Sequence, residues 1–184
     1  MASLTGLAAH SALAFDASEL MALMAKVERS TVAFEETKEI AALTTPLVRR
    51  GTLRYVRPDR LEMAVDQPRF ERLTIAGERL AIETRKGKQQ VDLSTLPVVA
   101  AWIESLRATL SGDLAGLERY FEWQLQGERS NWKLELRPRE RRLADVVDRI
   151  DIGGREAQIA RIAIEERQGD RTVLVLSPLP EEKR

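Results

Sequence analysis

The chain has 184 residues, enough for one domain with a core of its own. Its 29 Lys and Arg residues balance its 29 Asp and Glu residues to a formal net charge of zero, which argues against nucleic acid as a partner, because a phosphate backbone selects a basic surface. With no cysteine there can be no disulfide, thiolate metal site, thiol nucleophile or lipidated N-terminal cysteine, and an oxidising compartment is permitted.

Residues 1–14, MASLTGLAAHSALA, are small and apolar, carry no Lys or Arg, and end in Ala12-Leu13-Ala14, an A-x-A pattern. They read as the remnant of a secretory signal cleaved after Ala14, leaving residues 15–180 as a single exported domain. The missing positive n-region leaves a second reading open, a flexible N-terminus of a cytosolic protein. No other apolar run is long enough to span a bilayer.

The pattern predicts a helix over residues 15–29, with Asp16 as its cap, Glu19 completing a capping box, and Leu20, Leu23, Met24 and Val27 on one face. From Thr31 the hydrophobic period switches to two. Val32 and Phe34 open a strand that runs towards Ile40, and residues 47–56 return antiparallel after the turn at Thr44-Thr45-Pro46. The stretch 50–65, RGTLRYVRPDRLEMAV, is the part about which the rest is arranged. Leu53, Tyr55, Leu61, Met63 and Val65 alternate along two strands, and Pro58-Asp59 must interrupt them because proline has no backbone donor. Arg57 falls by that alternation on the side of Leu53 and Tyr55. Its guanidinium cannot shed its proton, so it either reaches water at the strand end or is aimed at hydrogen-bond acceptors.

Short turn-bounded segments follow at 60–66, 71–75, 79–84 and 89–93, the pattern of a meander of antiparallel strands. No crossover helix separates them, which excludes a parallel α/β sheet and a Rossmann-type nucleotide site. Residues 94–118 read as helix, with Pro97 in the first turn and Val99, Trp102, Ile103, Leu106 and Leu110 as its apolar stripe. Ser111-Gly112-Asp113 ends it, and Leu114, Leu117 and Phe121 mark a second short helix. Phe121, Trp123 and Leu125 then share one face of a strand. Trp132, Leu134 and Leu136 share one face of the next, with Lys133, Glu135 and Arg137 opposite. The basic run 137–142, RPRERR, is broken by Pro138 and Glu140 and reads as solvated, and residues 139–145 read as a polar connection, either loop or a helical turn. Strands at 147–152, 158–166 and 172–176, with turns at Gly153-Gly154 and Gly169-Asp170, complete the sheet, and residues 181–184 should fray.

The fold class is mainly β with a helical lid (α+β): an antiparallel sheet of about ten or eleven strands, curled into a barrel or half-barrel and covered by the N-terminal helix and the mid-chain helical insertion. A sheet this wide curls, and a barrel of that size is too broad for its own side chains to fill. The apolar stripes of the helices need burial, and laying them across the concave face leaves an apolar chamber beneath. An ordinary two-layer core without a cavity satisfies the same periodicity. The one histidine, His10, lies in the leader, so no histidine triad, base or metal site is available, and no P-loop or zinc signature appears. No catalytic residue, metal or cofactor is expected, and the chain is not read as an enzyme.

Taken together, the order of elements resembles the LolA family, periplasmic carriers of outer-membrane lipoproteins. The likeness runs through the helix DASELMALMAKVE, the strand with AFEETK, and the G-x-L-x-x-x-R-P stretch of Gly51, Leu53, Arg57 and Pro58. It continues through the turns Gln67-Pro68 and Ala76-Gly77, the helical insertion from Pro97, and the closing run of strands. The resemblance implies an open antiparallel half-barrel of those strands with an apolar cavity for acyl chains, and a monomer in the periplasm. It implies that Arg57 latches the lid through backbone carbonyls of the helices. It also implies a cavity lined by Leu20, Met24, Leu53, Tyr55, Leu61, Met63, Trp102, Ile103, Leu106, Trp123, Trp132 and Leu134. The implied partners are acyl chains of lipoproteins or another lipid, an inner-membrane donor complex and an outer-membrane acceptor. Leu61 stands where the family has an aromatic used in docking on the inner-membrane complex, and the chain stops soon after Leu176, where core carriers extend further. A divergent member moving a different lipid is therefore expected. The absence of cysteine argues against the role of the membrane-anchored acceptor. The alternative is a non-enzymatic periplasmic binding or assembly module on the same fold without lipid cargo.

Overall fold

In the computed structural model, which describes residues 15–179, the alternating segments pair in a single antiparallel sheet of eleven strands. The strands are β1 (Arg29–Glu39), β2 (Leu47–Val56), β3 (Arg60–Gln67), β4 (Glu71–Ala76), β5 (Arg79–Thr84), β6 (Gly87–Asp92), β7 (Phe121–Glu128), β8 (Asn131–Pro138), β9 (Val147–Arg155), β10 (Gln158–Glu166) and β11 (Arg171–Pro178). Their spatial order is β6-β5-β4-β3-β2-β1-β11-β10-β9-β8-β7, so the sheet stays open, with β6 and β7 as its two edges.

That order dictates where the helices go. Between the edge strands β6 and β7 the chain forms α2 (Pro97–Ser111) and α3 (Leu114–Tyr120), so the insertion must cross from one edge of the half-barrel to the other. α1 (Ala17–Met24) lies against α2. A short fourth helix, α4 (Arg141–Ala144), falls in the polar connection between β8 and β9.

Register decides which side chains meet the helices. Val32 pairs with Leu53, Leu53 with Met63, and Tyr55 with Leu61. On the other half, Leu134 pairs with Ile152 and Ile152 with Ile162. These residues share the inner face and, Val32 excepted, are buried with Leu20, Met24, Ile103, Leu106 and Leu117 of the helices. Burial of one such side chain is worth about 1.5–3 kcal/mol, so this face and the helical stripes hold the two layers together. The outer face carries ion pairs instead, such as Lys133–Asp151 at 3.2 Å and Arg171–Glu165 at 2.9 Å.

Two expectations need correction. The first helix ends at Met24 rather than at residue 29, because Arg29 already pairs with Val56 in the β1–β2 ladder. Gly153-Gly154 is not a turn: both residues lie inside β9, and the hairpin turns at Glu156-Ala157 instead. A Cβ at Gly154 would lie 2.6 Å from Trp132 Cζ2 and 2.1 Å from the Gln158 carbonyl oxygen, so the missing side chain makes room for the indole. The polar connection after residue 138 does hold a helical turn, α4. The reading of residues 1–14 as a signal, the position of His10 and the fraying of residues 181–184 lie outside the described residues. Among those described, no helix is long and apolar enough to cross a membrane.

Candidate functional site

The β2–β3 turn is placed by the alternation on either side of it. Tyr55 and Leu61 anchor it on the inner face, and Pro58 breaks the ladder between them. Arg57 therefore leaves the sheet at its end, where its backbone N–H donates to the Glu28 carbonyl at 2.9 Å. Its guanidinium reaches the helices. Nη1 donates to the carbonyl oxygen of Ala25, the C-cap of α1, and Nη2 donates to that of Ser111, the last residue of α2, at 3.2 Å.

Helix ends leave carbonyls without intrahelical partners, at the negative end of the helix dipole, and a guanidinium suits both features. One cation thus ties two helix ends to one turn. Gly112 allows the two ends to come together: it takes φ 71° at the C-cap of α2. A Cβ there would lie 2.4 Å from the Met21 carbonyl oxygen in α1.

A second arginine, which the sequence reading missed, works in the opposite direction. Arg107 of α2 is buried and donates from Nε to the Asp59 carbonyl in the turn at 2.9 Å, and from Nη1 to Glu104 at 3.1 Å. Arg107 stands four residues after Ile103 and directly after Leu106, so it lies at the border of the apolar stripe. That position was the available signal. The rest of the turn is also tied down. The Tyr55 hydroxyl donates to the Pro58 carbonyl at 3.2 Å, and the Gly77 N–H donates to the Asp59 carboxylate at 3.1 Å. Burial pushes the Tyr55 phenol above its ordinary range, with nearby Arg57 opposing and Asp59 adding to the rise.

Beside this clasp lies a mostly apolar cleft of about 310 Å³. Leu53 and Tyr55 of β2, Leu106 and Leu110 of α2, and Leu176 of β11 form its floor and roof. Of the residues expected to line a cavity, Leu53, Tyr55 and Leu106 border this cleft. Leu20, Met24, Leu61, Met63, Trp102, Ile103, Trp132 and Leu134 are packed against one another in the core between sheet and helices. Trp123 is half-buried near the β7 edge, and its Nε1 donates to Glu118 at 3.1 Å. Trp102 keeps its indole Nε1 buried without a hydrogen-bond partner among the described residues.

At the other end of the inner face the apolar surface gives way to charge. Arg49 grips Glu36 with two hydrogen bonds, of 2.8 and 2.9 Å, and reaches Glu71 at 3.0 Å. Glu36 is only 6% exposed, so the pair closes that end with a buried bidentate contact.

A sequence model of the family described as outer membrane lipoprotein carrier protein LolA-like matches residues 9–179. No curated protein matches the sequence. Among solved structures, a LolA superfamily protein from Nitrosomonas europaea aligns at 13% identity and TM-score 0.48, covering 89% of this chain and 92% of that one. A putative outer membrane lipoprotein-sorting protein domain from Vibrio parahaemolyticus aligns at 12% identity and TM-score 0.46, covering 91% and 93%. The MucA/MucB complex of Pseudomonas aeruginosa aligns at 14% identity and TM-score 0.47, covering 91% and 59%.

Proposed function

The chain belongs to the LolA-like family of outer membrane lipoprotein carrier proteins, and from that premise we propose that it is a periplasmic carrier of acyl chains, from lipoproteins or another lipid. It takes them from an inner-membrane donor, shelters them beneath α1 and α2, and passes them towards the outer membrane. The observation that carries this reading is the clasp: Arg57 joins the C-terminal ends of both lid helices at the edge of an apolar cleft.

The physical requirement is a chamber that opens cheaply. Burying a CH₂ from water is worth about 0.8 kcal/mol, so a long acyl chain exceeds ~10 kcal/mol and does not escape into water. Transfer into a bilayer or a similar cavity is nearly neutral, because the two environments are alike. The closed cleft of about 310 Å³ sits at the small end of the roughly 300–1,000 Å³ range of ligand pockets. Uptake of a whole chain therefore lifts α1 and α2 from the inner face. Lifting breaks the Arg57 and Arg107 bonds, and closing after release regains them.

Leu61 is fully buried under the lid, so it offers no surface to a donor while the lid is closed. Docking on the inner-membrane complex therefore uses other residues.

The test is Arg57→Leu. Two hydrogen bonds at an exposed site contribute about 1 kcal/mol each, so closing loses about 2 kcal/mol of its drive and release slows by about thirtyfold. Transfer of a fluorescent acyl probe from the loaded protein to vesicles measures this directly. Equal release by Arg57→Leu and the parent sinks the latch.

The second reading is a binding or assembly module without lipid cargo. The packed core of Leu20, Met24, Leu61, Met63 and Ile103 favours it, because those side chains leave no standing chamber beneath most of the lid.

A further inference from the structure

Two adjacent strands part company at one end of the cleft. The ladder between β10 and β11 runs from Glu165–Arg171 to Arg161–Val175 and stops there, although both strands continue. Beyond that point β11 pairs only with β1, through Leu176–Phe34, Ser177–Ala33 and Pro178–Val32. β10 pairs only with β9, and an irregularity between Ile159 and Arg161 deflects it. Residues 158–160 and 176–178 thus face each other as two strand edges with no pairing between them. Both segments line the cleft. The sheet has a seam, and the cleft lies behind it.

The chemistry of the seam is asymmetric. Its depth is apolar, from Leu176 and Leu53 to Leu106 and Leu110. Its mouth carries Gln158, Ser177 and Arg155, and Arg155 is the one charged residue lining the cleft among the described residues. No carboxylate among the described residues lines it. The neighbouring Glu156 is engaged by Arg129, and Arg155 has no ion-pair partner among the described residues. A guanidinium with no partner among the described residues, set at the opening of an oily slot, matches a carboxylate or phosphate in both charge and planar geometry.

We infer that the seam between β10 and β11 is a lateral entry for a single-chain amphiphile with an anionic head, the tail lying under α2 and the head held at Arg155. The inference rests on the carrier reading and adds to it a cargo class and a route. The cleft volume of about 310 Å³ fits one tail at this point, not several. The head stays in water, so Arg155 selects and orients the ligand more than it holds it.

The experiment uses the whole protein and palmitate carrying a diazirine close to its carboxyl group. After irradiation, adducts are mapped by peptide mass spectrometry. The expected adducts fall on residues 158–160 and 176–179. Arg155→Glu is expected to weaken the binding of palmitate by about fivefold and to leave a neutral monoacylglycerol unchanged. Competition by unlabelled palmitate or by lysophosphatidic acid supports the proposal, and the stronger competitor names the head group. Adducts confined to α1 and β3, or an equal effect of Arg155→Glu on anionic and neutral ligands, overturn the seam while leaving the carrier intact. No labelling anywhere in the parent protein overturns both.

Discussion

Tyr55 joins the two parts of the site in one side chain: its ring lines the cleft and its hydroxyl donates to the turn at Pro58. Burial raises its pKa, which means the folded protein prefers the neutral phenol. The linked stability is fully present below the ordinary tyrosine value near 10 and is lost as pH rises from there through the raised value. Tyr55→Phe removes that titration. Urea unfolding at pH 8 and at pH 11 should show a steeper loss for the parent than for Tyr55→Phe, and equal losses would refute the linkage. The two arginines of the clasp differ in how readable they were. Arg57 could be placed at the strand end because alternation and Pro58 fix its side and its position. Its acceptors could not be read, because they are backbone carbonyls 32 and 54 residues away. Arg107 was hidden, since an arginine bordering an apolar helical stripe is commonly one whose stem lies on the surface and whose head reaches water.

The lid is an assembly of two helix ends, and Gly112 sets their distance. Replacing it with alanine places a methyl group 2.4 Å from the Met21 carbonyl oxygen, at a residue with φ 71°. The strained φ alone costs about 1–3 kcal/mol. α1 must also move away, which draws the Ala25 carbonyl from Arg57. Gly112→Ala should therefore raise amide exchange in α1 and at the end of α2 well above that of β8, β9 and β10. A uniform rise across the molecule would mean that Gly112 supports global stability and not the lid. Sequence patterning located this glycine correctly, since a Ser-Gly-Asp break after an apolar stripe is a helix stop. The same kind of signal misled at Gly153-Gly154. Adjacent glycines usually mark turns, but here the Trp132 ring occupies the space beside Gly154 and β9 runs on to Arg155.

The whole molecule follows from a wide sheet whose two edge strands are joined by helices. Counting alternating segments was enough to reach a wide curled antiparallel sheet with a helical cover, because period-two runs bounded by turns survive without tertiary information, and the family resemblance supplied its open, half-closed form. How the interior is filled was not legible. Periodicity assigns Leu61, Met63 and Leu134 to the inner face, but it does not say whether the side chains of the helices reach down to meet them. They do, and of the residues expected to line a cavity Leu53, Tyr55 and Leu106 border the cleft beside the clasp. The carrier account therefore depends on acyl chains displacing part of this packing when the lid lifts. Mass spectrometry of an organic extract of the purified protein tests it most directly. The account predicts fatty-acyl species in the extract, well above those from an unrelated soluble protein purified in parallel. An extract indistinguishable from that control would contradict it and favour the module without lipid.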